Sequence, residues 1–230
     1  RLSLGEFQRL SGRGIYGYLL GLFRGLMPFS SASDAAFWMP TFWEDTVAAP
    51  EEISERGMEA ILPHIAEFER EGFRLARYQK STDTLWLSLI DNCGATLCHS
   101  SGEYIANVSY QETRGRGVVL SKSIGFSLRS GIWVGVTNTN AYFDSVKPSK
   151  IMGLPGATTS TLWQRAQQEC EVLVGQGESL ATYSTIAQWV NATDKLQARV
   201  LHDRVNVRKL YRKLTEAEVE ALLERMEEQH

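Results

Sequence analysis

Cys93, Cys98 and His99 are the one group in this chain whose residue types and closeness suit a metal. Structural zinc normally takes four ligands, usually as two paired elements, and no second pair occurs elsewhere, so no metal is expected. Cys93 and Cys98 also flank a predicted turn. An oxidising compartment would let them close a short loop. In a reducing one they are small semi-apolar side chains, which is the expectation, and Cys170 stays alone either way. The remaining histidines are scattered, and His64, beside Pro63, reads as a surface or capped residue. No serine-centred nucleophile elbow, phosphate-binding glycine loop or helical His-Glu-x-x-His arrangement is present. The reading therefore names no catalytic residue and no cofactor, and it leans away from an enzyme.

Arg114-Gly115-Arg116-Gly117 could meet a phosphate, but it lacks the interleaved aromatics on which RNA bases stack. With a net charge of -3 over 230 residues, nucleic acid is not an expected partner. The triplets Asn107-Val108-Ser109 and Asn191-Ala192-Thr193 fall inside a predicted strand and helix and are read as chance glycosylation patterns.

The residues that could bind rather than react lie toward the ends. Gly17, Gly21 and Gly25 recur every fourth position among Ile15, Leu22 and other apolar residues, which on a helix would line one face. Each glycine there costs about 1 kcal/mol relative to alanine, so the pattern points to close approach of another helix. Ile15 to Met27 would be only about 20 Å long, too short for a bilayer core of about 30 Å, and Arg24 interrupts it. A peripheral membrane anchor or a docking helix is the functional reading, beside a glycine-rich loop or a helix buried against the protein's own sheet. Near the other end, Arg204, Arg208, Lys209 and Arg212 make a basic surface ahead of a glutamate-rich segment; a fold-back pair of helices held partly by charge is the reading preferred for them. Phe37, Trp38, Phe42 and Trp43 concentrate aromatic area, and with Trp86 and Trp133 they are candidates for lining an apolar ligand pocket.

These segments need a scaffold, and the pattern between Phe73 and Asn140 supplies one. Val118, Leu120, Ile124, Phe126 and Leu128 alternate with Val119, Ser121, Ser123, Gly125 and Ser127, and only Lys122 breaks the apolar side. Strands are expected near Phe73 to Gln79, Thr84 to Asp91, Tyr104 to Glu112, Gly117 to Leu128 and Ile132 to Asn138, separated by turn formers such as Asn92-Cys93-Gly94. Before them, Pro50 suits the start of a helix whose apolar positions include Ile53, Met58, Ile61, Ile65 and Phe68, kinked or split at Pro63. After them, Thr158, Thr159 or Ser160 can cap a helix carrying Leu162, Ala166, Cys170 and Val174 on one face and ending at Gly175-Gln176-Gly177. Residues 179 to 229 read as further helix. Tyr183, Ile186 and Val190 form one stripe, and Thr215 with Glu218 makes a capping box.

Gly72-Phe73 leading into the sheet, a late hairpin ending in Thr137-Asn138-Thr139-Asn140, then Leu154-Pro155-Gly156-Ala157 and Leu162-Trp163 together resemble a group of uncharacterised bacterial α+β domains over residues 72–163. The resemblance implies the same sheet-then-helix order and brings no activity.

The expected protein is an α+β domain with an antiparallel sheet of about five strands flanked by helices. Residues 1–49 are read as an apolar docking segment, 50–177 as the core domain and 178–230 as a helical tail. Its expected role is that of a non-catalytic accessory or structural subunit docking with other protein subunits in a larger assembly, peripherally associated with a membrane through its N-terminal segment. The alternative is a domain that binds an apolar small molecule.

Overall fold

The computed structural model describes residues 37–39, 45–81, 89–113, 117–139, 149–202 and 211–213. In chain order these form β1 (Phe37–Met39), β2 (Asp45–Ala48), a 3-10 turn (Pro50–Glu52), α1 (Glu55–Arg70), β3 (Phe73–Ser81), β4 (Leu89–His99), β5 (Tyr104–Thr113), β6 (Gly117–Ser127), β7 (Trp133–Thr137), β8 (Ser149–Gly153), α2 (Thr159–Gly175), α3 (Ile186–His202) and β9 (Tyr211–Lys213). Strands β2 to β8 lie side by side in chain order as a seven-stranded sheet. Every neighbouring pair is antiparallel except β7 and β8. A separate parallel pair joins β1 to β9.

The fold class is α+β with an antiparallel-rich sheet, as expected, but the main sheet has seven strands rather than about five. The two unexpected strands are its edges. β2 is four residues long, too short to establish a period of two. β8 pairs in parallel with β7, and a parallel partner arrives by a crossover on the order of a dozen residues, which leaves no hairpin signal.

Asn92-Cys93-Gly94, read as a turn, runs instead through the middle of β4. Its glycine serves close packing: a Cβ at Gly94 would stand 2.9 Å from the carbonyl oxygen of Val108 on the neighbouring strand. The cysteines flanking the supposed turn thus share one strand, about 16 Å apart at strand rise and on opposite faces, beyond the reach of a disulfide. All three cysteines are thiols. In the C-terminal region the helical reading holds for Ile186–His202, but Tyr211–Lys213 is strand; the Thr215 capping box lies outside the described residues.

Helices α1 and α2 cover one face of the sheet. Ser54 caps α1 by accepting from the Gly57 amide at 2.9 Å, and Thr158 caps α2 by accepting from the Thr161 amide at 3.2 Å. Ile61, Ile65 and Phe68 from α1, with Leu162, Ala166 and Cys170 from α2, join Leu97, Val108, Ile124, Phe126, Val134 and others in one buried cluster. Each large apolar side chain removed from water there contributes about 1.5–3 kcal/mol. Pro63 does not split α1. It lies on the exposed side, where the unpaired Glu59 carbonyl can be met by water. α2 ends as expected. Gly177, at a φ of 93°, donates to Val174 at 2.9 Å while Glu178 donates to Leu173 at 3.1 Å, a Schellman closure. Val174 itself, expected on the buried stripe, is 47% exposed.

Candidate binding face

Register fixes which side chains share the sheet's second face, the one turned away from α1 and α2. Thr96 stands opposite Asn107, Gly94 opposite Ser109, Ser109 opposite Ser121 and Asn107 opposite Ser123. From β3 come Arg77, opposite Thr96, and Gln79, opposite Gly94. The centre of this face is a grid of hydroxyls and amides. Thr96 Oγ1 lies 3.1 Å from Gln79 Oε1 and 3.0 Å from Asn107 Oδ1, while Ser109 and Ser121 share a hydroxyl contact of 2.7 Å. Thr96 has a single hydroxyl proton, so one of the two amides must turn its NH2 toward Thr96 for both contacts to be hydrogen bonds. Among the residues of this face whose side chains are described, none is a carboxylate.

Toward β7 the face becomes aromatic. Gly125 and Gly135 leave room for the Trp133 indole to lie across them: a Cβ on Gly125 would come within 2.7 Å of that ring. Trp189, at the start of α3, stands edge-on to Trp133 with ring centroids 6.0 Å apart and touches Tyr183 at 4.3 Å. Tyr183 shares a 2.6 Å hydroxyl contact with Ser127. The chain reaches this side because residues 179–183 run along the end of β6 and the β4–β5 turn, through Ala181 donating to Ser127 and Tyr183 donating to Gly102. Trp189 is only 1% exposed, so it, rather than the expected Ile186, anchors this segment; Ile186 is exposed.

The helix-covered face holds the other polar group of note. Lys122, which interrupts the apolar alternation of β6, is 6% exposed and donates to Glu67 at 3.0 Å and to Thr159 at 3.2 Å. Thr159 also donates to Glu67, and His64 Nδ1 lies 3.2 Å from the same carboxylate oxygen. Burial would raise the Glu67 carboxyl, but hydrogen bonds from Thr159 and Lys122, the approach of His64 and the Lys122 charge lower it to about 2. Lys122, Thr159 and Glu67 are hydrogen-bonded to one another and tie α1 and α2 to β6, while His64 Nδ1 approaches the carboxylate without the geometry of a hydrogen bond. Cys93, on this face beneath α1, has its thiol pushed up to about 11 by burial and by the nearby Asp91 charge, which leaves little thiolate at neutral pH. His99 sits among Phe73, Tyr104 and Trp163, and burial lowers its pKa.

No family model, curated protein or solved structure matches the chain. The binding reading therefore rests on the residues themselves.

Of the candidates taken from sequence, Trp133 is the one whose side chain is described, and it packs on Trp189 over the second face. Trp38 and Arg212 fall in the short paired strands β1 and β9. Ile15, Gly17, Gly21, Leu22, Gly25, Trp43, Trp86, Arg204, Arg208 and Lys209 lie outside the described residues. Sequence reasoning singled out neither Arg77 nor the Thr96, Asn107 and Gln79 grid. Lys122 was visible as a break in alternation; its partner Glu67, on a helix far away in sequence, was not.

Proposed function

We propose that the protein is a non-catalytic accessory subunit that docks with other protein subunits in a larger, membrane-associated assembly, with its sheet as the rigid platform. The observation that supports this reading is the asymmetry of the sheet. Two helices close one face, whereas among the described residues only the 179–189 segment packs on the other, at one end. The proposal gives the polar and cationic side chains of β3 to β6 on that second face to a partner subunit. The chemistry-bearing group on the closed face, Lys122 with Glu67, His64 and Thr159, is engaged in holding helices to sheet.

The glycine-spaced segment Ile15 to Met27 enters the proposal on its sequence alone, as the part that approaches a partner helix or a lipid surface. None of the helices among the described residues is long and apolar enough to cross a membrane, which does not address peripheral attachment. The test is gentle purification of the native protein with separation of membrane and aqueous fractions. The proposal expects defined co-purifying subunits at fixed stoichiometry and partial recovery with membranes. A lone monomer absent from the membrane fraction would overturn it.

A further inference from the structure

Arg77 breaks the rule that shielded polar groups are paired. Strand side chains alternate, so Arg74 and Arg77, an odd number of positions apart, would ordinarily point to opposite faces. A register shift between Leu75 and Arg77 inserts one extra residue, so that Arg74 stands opposite Cys98 and Arg77 opposite Thr96, both on the second face. Bulges of this kind re-aim a side chain. This one sets Arg77 opposite Thr96, two residues from Gln79 and on the same face as Asn107, and its charge is felt at the Cys98 thiol.

The Arg77 Nε is shielded from solvent and meets no acceptor. Among the described residues no carboxylate forms an ion pair with Arg77, although such pairs are made by Arg56, Lys122, Lys150 and Arg165. Native proteins rarely leave a charged donor in that state, and a guanidinium presents its N–H groups as a planar fork that matches carboxylate or phosphate oxygens. Thr96 has already given its one hydroxyl proton within the grid, so the further donors are the N–H groups of Gln79 and Asn107 that Thr96 leaves free.

We propose that Arg77, with the Gln79 and Asn107 amides that Thr96 ties together, forms a binding site for the oxyanion group, carboxylate or phosphate, of a small soluble ligand. The site lies on the face that the docking reading gives to a partner subunit, but it rests on the bulge and the unpartnered Arg77 Nε rather than on that reading.

The experiment titrates inorganic phosphate and, separately, succinate into the full chain at constant ionic strength, with chloride as the reference. It reads the thermal unfolding midpoint and the NMR signal of the Arg77 Nε–H. One or both anions should shift that signal saturably and raise the midpoint; at ten times its Kd a ligand increases the folding constant about 11-fold. A response to phosphate alone identifies a phosphorylated ligand, and a response to succinate alone a carboxylate. Arg77→Met should fold with an unchanged or higher midpoint and lose the response, and Arg77→Lys, which keeps charge but not the fork, should weaken it. The proposal is overturned if neither anion acts beyond chloride, if Arg77→Met responds like the parent, or if Arg77→Met fails to fold, which would give Arg77 to the architecture instead.

Discussion

Lys122 and Arg77 are cations on central parts of the same sheet, and their surroundings are opposite. Lys122 points into the helix-covered side and finds a carboxylate and a hydroxyl waiting, from two helices distant in sequence. Arg77 points to the other side, is partly shielded, and its Nε finds no acceptor. A charge placed for stability is surrounded by partners the chain itself supplies, because an unpaired buried ion is costly. The proposed oxyanion site supplies the acceptor for the Arg77 Nε from outside the chain. The contrast extends to the centres of the two faces, one filled by interdigitating apolar side chains and the other laid out in hydroxyls, amides and glycine, with Ile105 and Trp133 apolar toward β7.

If the two faces differ in this way, truncation should weigh very unequally on them. Phe126→Ala, on the closed face, should cost about 3–5 kcal/mol in urea unfolding, because the cavity lies where α1 and α2 meet the sheet. A loss under about 1 kcal/mol there would mean that the helices do not seal that side.

The polar tie within the closed face makes a pH signature. The Glu67 carboxyl, at about 2 in the fold against an ordinary 4.5, contributes stability that is complete above the ordinary value and disappears as pH falls toward the lower one. With the carboxylate 32% exposed, solvent screening reduces this to about 1–3 kcal/mol. The gap in unfolding free energy between the parent protein and Glu67→Gln should therefore close on acidification, and a constant gap would remove Glu67 from the tie.

The second face should tolerate loss of side chains yet resist gain where strands crowd. Gly94→Ala would press a methyl group against the Val108 carbonyl at 2.9 Å and should cost about 1–3 kcal/mol by thermal unfolding. Ser123→Ala, one strand from Asn107 on the same face, should change stability by less than about 0.5 kcal/mol. A large loss from Ser123→Ala would show the grid to be structural and blur the distinction between the faces.

How much of this was legible in the sequence follows the range of the signals. The alternation of Val118 to Leu128 gave both faces of β6 correctly, down to Lys122 as the one polar intruder, because period two is a local property. Helix ends at Thr158 and Gly177 were readable for the same reason, whereas the helix expected to start at Pro50 begins only after a 3-10 turn there, capped by Ser54. β4 was misread because glycine at Asn92-Cys93-Gly94 looks like a turn, whereas here it answers a neighbouring strand that local sequence cannot reveal. Arg77 was missed because a strict alternation from Phe73 assigns it to the buried side, and only the bulge reverses that. Trp189 was passed over for Ile186 because the choice depends on where residues 179–183 cross the end of β6.

The most direct comparison of the two cations is a pair of single substitutions, Lys122→Met and Arg77→Met, unfolded by urea side by side in anion-poor buffer. Lys122→Met should lose about 2–4 kcal/mol, because Glu67 is left without its main counter-charge. Arg77→Met should be neutral or more stable than the parent, since a shielded donor without an acceptor is removed. Equal losses in the two variants would mean that Arg77 is as much a part of the architecture as Lys122, and the second face would no longer be distinguished as the side that binds.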